Sequence, residues 1–443
     1  MPIGKLIISM SLPMMISFFI QAMYNIVDSM FVAKISENAL TAVSLAFPMQ
    51  QVMHAISVGL SVGISAVIPH FLGMGNKDKA NRTAGAGFFL NAVFVIVFLI
   101  MGLTLPGFLY GIQTDVTEIV NDGTIYLTIC WAVCLGEFFG QYYEKLLVST
   151  GRAALAMVSQ ASGAVFNIVF DPLLIFGIGP FPKMGIAGAA LATVLGQILG
   201  AFIAMMMNRH FNHTIQLKMN MIRPDMEAFR EIFAVGVPSM ITIGLSSATT
   251  FCVNQILLGY STTATAVYGI WMKLQNFSFM PVFGMNNGMI PILSYNNSCG
   301  ENRRVLKAIR IALTAIVSYL VLLACILEFV PEGLLGLFSA SGNMLSIGVT
   351  ALRICVLSLP FGGACIIMTT TMQSLLHSRY ALAVNILRQF VIIVGLFSLI
   401  SAATGTLQLV WLAVPCTEIL SVCIASALEF KMLKDLKKQP IRN

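Results

Sequence analysis

The chain has 443 residues, of which 25 are Lys or Arg, 18 are Asp or Glu and 58% are hydrophobic. With only 10% charged residues, against roughly 25% in soluble domains, it cannot surround a core of this size with hydrated surface. Composition therefore excludes a soluble enzyme, a secreted disulfide scaffold and a disordered protein, and points to a polytopic membrane protein.

A spanning helix needs about 20 predominantly apolar residues. Turn and charge clusters divide the chain into twelve such spans: 5–33, 40–68, 85–107, 122–148, 154–176 and 184–207, then 229–257, 265–292, 307–329, 346–375, 381–402 and 407–432. The first run holds Gln21, Asn25 and Asp28 and has no small-residue cleavage site after it, so it reads as a span and not as a signal peptide. These runs are too long, and too little alternating, for the strands of a membrane barrel. The nine cysteines include no C-x-x-C pair and mostly lie in apolar runs, where free Cys acts as a small hydrophobe and not as a metal ligand.

Basic residues set the orientation. Lys77, Lys79 and Arg82 follow span 2, Arg152 follows span 4, and Arg209, Lys218 and Arg223 follow span 6. Arg303, Arg304 and Lys307 follow span 8, Arg379 follows span 10, and the tail holds Lys434, Lys437, Lys438 and Arg442. The opposite loops hold only Lys34 and Lys183. Both termini are expected in the cytoplasm, and the net charge of +7 reads as cytoplasmic loops, not as a nucleic-acid surface.

The chain also repeats itself. Pro13 matches Pro238, Gly59 and Gly63 match Gly284 and Gly288, and Ile129-Cys130 matches Ile354-Cys355, each at an offset of 225. Six spans per repeat give both halves the same orientation, a parallel repeat about an axis along the membrane normal. The expected division is an N-lobe over 1–210, a cytoplasmic linker over 211–228 and a C-lobe over 229–443. Two like bundles suggest a central cleft and alternating access.

Ionisable residues inside a bilayer are costly and mark function or pairing. In span 1, Gln21, Tyr24, Asn25 and Asp28 fall at helical spacing and form one polar stripe. In span 5, Asn167 and Asp171 share a face, and Pro172 cannot donate to the Ile168 carbonyl. A carboxylate, an amide oxygen and a freed carbonyl suit a hard cation such as Na⁺; alternatively, a carboxyl group shielded from water holds a proton. Asp28 and Asp171 lie at equal depth, about five residues from the outer ends of their spans, and Thr193 lies about nine from the outer end of span 6. In span 4, Glu137 lies near mid-membrane, as a cation-binding acid or a structural partner. Glu144, beside Lys145, is expected to snorkel to the cytoplasmic side, as are Arg353 and Arg388 in the second half. Lys273 and Glu418 are a candidate pair, and His54 reads as a packing residue. Asp28 corresponds to Val253 in the repeat, which places the coupling chemistry in the first half. No G-x-x-x-x-G-K-[ST], H-E-x-x-H or G-x-S-x-G motif is present, so neither ATP-driven transport nor an enzyme is expected.

Several of these segments together resemble the multidrug and toxic compound extrusion (MATE) family, particularly its bacterial MepA-like and DinF-like members. The carriers are Leu12-Pro13…Asp28…Phe31-Val32-Ala33, Gly73-Met74-Gly75-Asn76, Asn167…Asp171-Pro172-Leu173 and Gly185…Gly188-Ala189-Ala190…Ala192-Thr193, with Pro291…Tyr295-Asn296…Gly300 in the second half. The resemblance implies an all-α, V-shaped pair of six-helix bundles and a cation site formed by Asp28, Asn167, Asp171 and Thr193. Gln21, Tyr24, Asn25 and Glu137 are then the candidates for the substrate cavity. The implied activity is efflux of drugs or organic cations, exchanged for H⁺ or Na⁺ without a further cofactor, by a monomer in the bacterial inner membrane. The alternatives are a lipid-linked precursor flippase of the same superfamily, which needs a strongly cationic cavity, and a channel.

Overall fold

The computed structural model describes residues 1–218, 221–336 and 342–438. All regular structure among them is helical. The first half runs α1 (Ile3–Ala33), α2 (Glu37–Gly73), α3 (Lys77–Thr104), α4 (Pro106–Gly111), α5 (Thr117–Ala132), α6 (Leu135–Ser149), α7 (Ala153–Phe176) and α8 (Ile186–Phe211). The second half runs α9 (Met226–Leu258), α10 (Thr262–Ser298), α11 (Asn302–Phe329), α12 (Pro331–Gly336), α13 (Gly342–Val356), α14 (Leu359–Ser374) and α15 (Ser378–Ile386). A π-helical stretch (Leu387–Ile392) follows, then α16 (Ile393–Thr404), α17 (Leu407–Val410) and α18 (Ala413–Lys438). Of the basic tail, the side chains of Lys437 and Lys438 and all of Arg442 lie outside the described residues.

Among the described residues, nine helical stretches are individually long and apolar enough to cross a membrane. Two further passes are helix pairs broken over a few residues, α5 with α6 at 40° and α13 with α14 at 43°. The 37-residue α10, which carries Lys273, Asn286 and Asn287, completes the expected twelve. The broken pairs occupy equivalent places in the two repeats. Pro360 in the first turn of α14 accounts for the second break, because a proline there needs no intrahelical donor.

The chain folds as two compact units. Ser9–Met240 forms one, and Met1–Ile8 joins the residues from Ile241 onward in the other. Each unit thus incorporates the start of a helix whose remainder belongs to its counterpart. Within the first unit, the beginning of α9 lies so close to α2 that a Cβ on Gly236 would stand 2.8 Å from the Gly59 carbonyl oxygen. Within the second, Gly4 lies against Ile311. The segment between α8 and α9 is tied to the first unit, where the Gln216 N–H donates to Asn81 Oδ1; residues 219 and 220 of the expected linker lie outside the described residues.

The first unit has a dense core of Leu60, Ile64, Phe98, Trp131 and Phe138. Two buried tyrosines bring their hydroxyls to backbone acceptors, Tyr110 to Ala42 O at 2.6 Å and Tyr142 to Ala84 O at 2.8 Å, so neither hydroxyl is orphaned.

Three sequence expectations change. Glu418 pairs with Arg388 and not with Lys273: Arg388 Nε donates to Oε2 at 2.6 Å and Nη2 donates to Oε1 at 2.9 Å. Arg388 therefore does not snorkel; it is buried, and the planar guanidinium matches the carboxylate at both oxygens. Glu144 and Lys145 do not snorkel either, since both are buried inside the bundle with 3.9 Å between their charged atoms. For Arg388 tertiary packing supplies the opposite charge, and for Glu144 and Lys145 the chain neighbour does; either way the drive toward water is reduced.

Candidate functional site

The candidate site is built where α7 and α8 cross. Gly188, Ala192, Gly196 and Gly200 recur every four residues and so lie along one face of α8. Small residues let two helix backbones approach closely in a membrane. A Cβ on Gly163 would stand 2.7 Å from the Gly196 carbonyl oxygen, and one on Gly188 2.6 Å from the Leu174 backbone. This approach carries Thr193 of α8 to Asn167 of α7.

Asn167 sits at the centre. Its Nδ2 donates to Thr193 Oγ1 at 3.3 Å and lies 3.4 Å from Asp171 Oδ1. Asp171 is fully buried and Asn167 nearly so. The helix does not end at the Asp-Pro pair. It continues to Phe176 and is closed by Gly177 at φ +72°, where a Cβ would stand 2.6 Å from the Lys183 nitrogen. Asp171 is therefore a mid-helix carboxyl beside the carbonyl that Pro172 leaves without a donor.

Asp28 of α1 meets Asp171 directly, side chain to side chain. Two carboxyls in contact cannot both stay charged at low cost; a shared proton or a bound cation resolves the repulsion. Three shielded oxygens around this contact have no hydrogen-bond partner: Asp28 Oδ1, Asn167 Oδ1 and Asp171 Oδ2. Orphaned acceptors of this kind fit a proton or a hard, oxygen-seeking cation such as Na⁺.

Beside this cluster lies an open cleft bordered by α1, α6, α7 and α8. Gln21, Tyr24, Glu137, Asn167, Thr193 and Gln197 are among the residues lining it. Asn167 and Thr193 thus belong to both the cleft and the carboxyl cluster. Gln160 Nε2 donates to Gln21 Oε1 at 3.4 Å, and Tyr24, one turn along α1 from Gln21, lies within electrostatic reach of Glu137, Asp28 and Asp171. Asn25 departs from the expected stripe: it is exposed and does not line this cleft. Its position on α1, one residue past Tyr24, rotates it by about 100° from that side chain.

His54 is more than packing. Its Nδ1 lies 2.9 Å from Glu137 Oε1, and Gln197 Nε2 donates to Glu137 Oε2 at 3.2 Å. Gln197 stands one helical turn beyond Thr193 on α8, the one sequence signal that could have found it. The break between α5 and α6 could not be read in this way, and it puts Glu137 in the first turn of α6, where the helix dipole favours a negative charge.

The MatE family model matches twice, over residues 13–173 and 238–398, with start and end both displaced by 225 residues, the offset of the internal repeat. The chain belongs to the MatE family. Members of this family are transporters, and this MatE chain is accordingly a multi-pass membrane protein. Among its relatives, the multidrug export protein MepA of Staphylococcus haemolyticus is 25% identical over 411 residues, covering 92% of this chain and 89% of that protein. An FAD transporter of Shewanella oneidensis is 24% identical over 436 residues, covering 95% and 92%. The fold matches an outward-facing multidrug resistance MATE family transporter of the MOP superfamily with a TM-score of 0.91 at 23% identity, covering 99% of this chain and 97% of that one. A MOP superfamily transporter from Pyrococcus furiosus gives 0.90 at 23% identity, with the same coverage of 99% and 97%.

Proposed function

We propose that this MatE family member is a secondary active antiporter that exports amphipathic or cationic small molecules in exchange for H⁺ or Na⁺. The carboxyl cluster of Asp28 and Asp171, with Asn167 and Thr193 attached, carries the reading. An acid pair flanked by orphaned oxygens gains most from a proton or a cation. In the antiport reading, occupation of this pair biases the protein toward one facing state and substrate toward the other, since a ligand shifts an equilibrium only through its differential affinity for the two states. The cleft brings substrate within reach of the coupling site through their shared residues, Asn167 and Thr193. We place the protein in the inner membrane of a bacterium as a monomer, with both termini cytoplasmic, on the distribution of Lys and Arg.

The name of the Shewanella relative raises a flavin nucleotide as a second substrate. The carboxylates of Glu137 and Glu144 on the cleft wall disfavour that dianionic ligand and favour a cation. Dye efflux from proteoliposomes under separately imposed H⁺ and Na⁺ gradients tests the proposal. Export driven by one of the two gradients is expected, and indifference to both refutes antiport.

A further inference from the structure

Glu137, Gly163 and Thr193 stand on different helices of the first unit and all border its cleft. At the repeat offset of 225 their counterparts are Gly362, Arg388 and Glu418. Burial follows the same register. Ala153, Ala156, Ser159 and Gly163 are buried along α7, and Ser378, Ala381, Val384 and Arg388 are buried at the matching positions. On the last span of each half, buried Ala192 and Gly196 match buried Thr417 and Ser421, while Leu195 and Leu420 both face outward.

The three counterparts converge in the second unit. Arg388 donates to both oxygens of Glu418, and a Cβ on Gly362 would stand 3.3 Å from Arg388 Nη2 and from Glu418 Cδ. Arg388 is 8% exposed and Glu418 6%. The ion pair thus fills the place that corresponds to the open cleft of the first unit. Glycine at 362, where the first half has Glu137, leaves space for the guanidinium. In the first unit a side chain at 163 is shut out by the Gly196 carbonyl oxygen, 2.7 Å from a Cβ. In the second, Arg388 stands in the π-helical stretch Leu387–Ile392, whose wider turn departs from the geometry of α7.

A buried carboxylate needs a cation, and a guanidinium meets it with two parallel N–H bonds. We propose that the second unit holds a counterpart of the cleft closed by the chain's own guanidinium. Arg388 acts there as a built-in organic cation on Glu418 and keeps free guanidinium and ammonium compounds out. This inference rests on the repeat and on packing, and is independent of whether an ion gradient drives export.

Arg388→Ala tests it, because the deletion leaves the space of one N-ethylguanidinium ion. Thermal unfolding of the purified full-length variant and wild type is followed with added ethylguanidinium, and with N-ethylurea as an uncharged ligand of similar shape. Ethylguanidinium is expected to raise the Tm of Arg388→Ala by at least about 2 °C beyond any shift of the wild type, whereas ethylurea is not. Glu418→Gln in the same background is expected to abolish the gain. A variant that folds only with ethylguanidinium present gives the same result in stronger form. If Arg388→Ala folds in neither condition, the double variant Arg388→Ala/Glu418→Gln, which buries no lone charge, carries the test. Cys365 is buried within electrostatic reach of both partners. In the double variant it is expected to lose its protection from methyl methanethiosulfonate, read for that cysteine alone by peptide mass spectrometry. No selective gain from ethylguanidinium in folded Arg388→Ala, a gain that survives Glu418→Gln, or undiminished protection of Cys365 in the double variant overturns the proposal.

Discussion

Gly163 and Gly196 face each other across the crossing of α7 and α8, each leaving less than 3 Å between a hypothetical Cβ and the other's carbonyl oxygen. The same Cβ on Gly196 would stand 3.4 Å from Asn167 Cβ. The closeness of two backbones therefore sets the position of the residue that joins Thr193 to Asp171. Gly163→Ala or Gly196→Ala should push the helices apart, at a cost of about 1–3 kcal/mol by overpacking. Thermal unfolding of the purified variants measures that loss. Gly196→Ala should in addition impair gradient-driven efflux, because it presses on Asn167. A variant as stable and active as wild type would show that the crossing relaxes freely.

The Asp28–Asp171 contact gives the sharpest functional expectation. Asp28→Asn and Asp171→Asn should each reduce gradient-driven efflux to the passive leak, while protein yield and dye binding persist. Amides keep the shape and much of the hydrogen bonding but do not exchange a proton. Proteoliposome efflux, read beside binding to the same preparations, separates coupling from folding. Full efflux by both variants would remove the acid pair from the mechanism.

In the second unit, Arg388 and Glu418 form a buried two-point ion pair next to Gly362, where a Cβ would stand 3.3 Å from both partners. Removing one partner leaves a buried charge uncompensated. Arg388→Met or Glu418→Leu alone should destabilise by about 3–5 kcal/mol, whereas the double replacement should lie much nearer the wild type. Unfolding of the four proteins in one double-mutant cycle shows whether the two losses fail to add.

The π-helical stretch Leu387–Ile392 shifts the usual hydrogen-bond register, and Thr249 Oγ1 of α9 donates to the carbonyl of Gln389 within it. Such single-turn π segments often sit at functional sites. Thr249→Val removes the donor with little change of volume. A loss of about 0.5–1.5 kcal/mol is expected, together with faster amide hydrogen exchange confined to residues near 387–392. Unchanged exchange there would mean that the stretch is held by its own helix.

Local physics made much of this protein legible in the sequence. Apolar run lengths follow from bilayer thickness, the offset of 225 follows from the repeat, and both act without knowledge of the neighbours. Asn167 and Asp171 are one helical turn apart, so their shared face was fixed by helix geometry alone. The hidden features all depend on which helices meet. His54 and Glu137 are 83 positions apart, and Arg388 and Glu418 are 30 apart. Spacing says nothing about such pairs, so the sequence pairs Lys273 with Glu418 and sends Arg388 to the membrane surface.

The 43 charges among 443 residues determined by themselves that the chain lives in a bilayer, because so few cannot solvate so large a surface. The sequence likewise determined which acids are expensive and must be accounted for, since that cost depends on residue type and depth. Only the tertiary structure decided how each one is relieved. Asp28 meets another acid, Glu418 meets a guanidinium and Glu137 meets an imidazole and an amide. The energy of a buried charge depends on the groups within a few ångströms of it, and in a helical bundle those groups come from other helices.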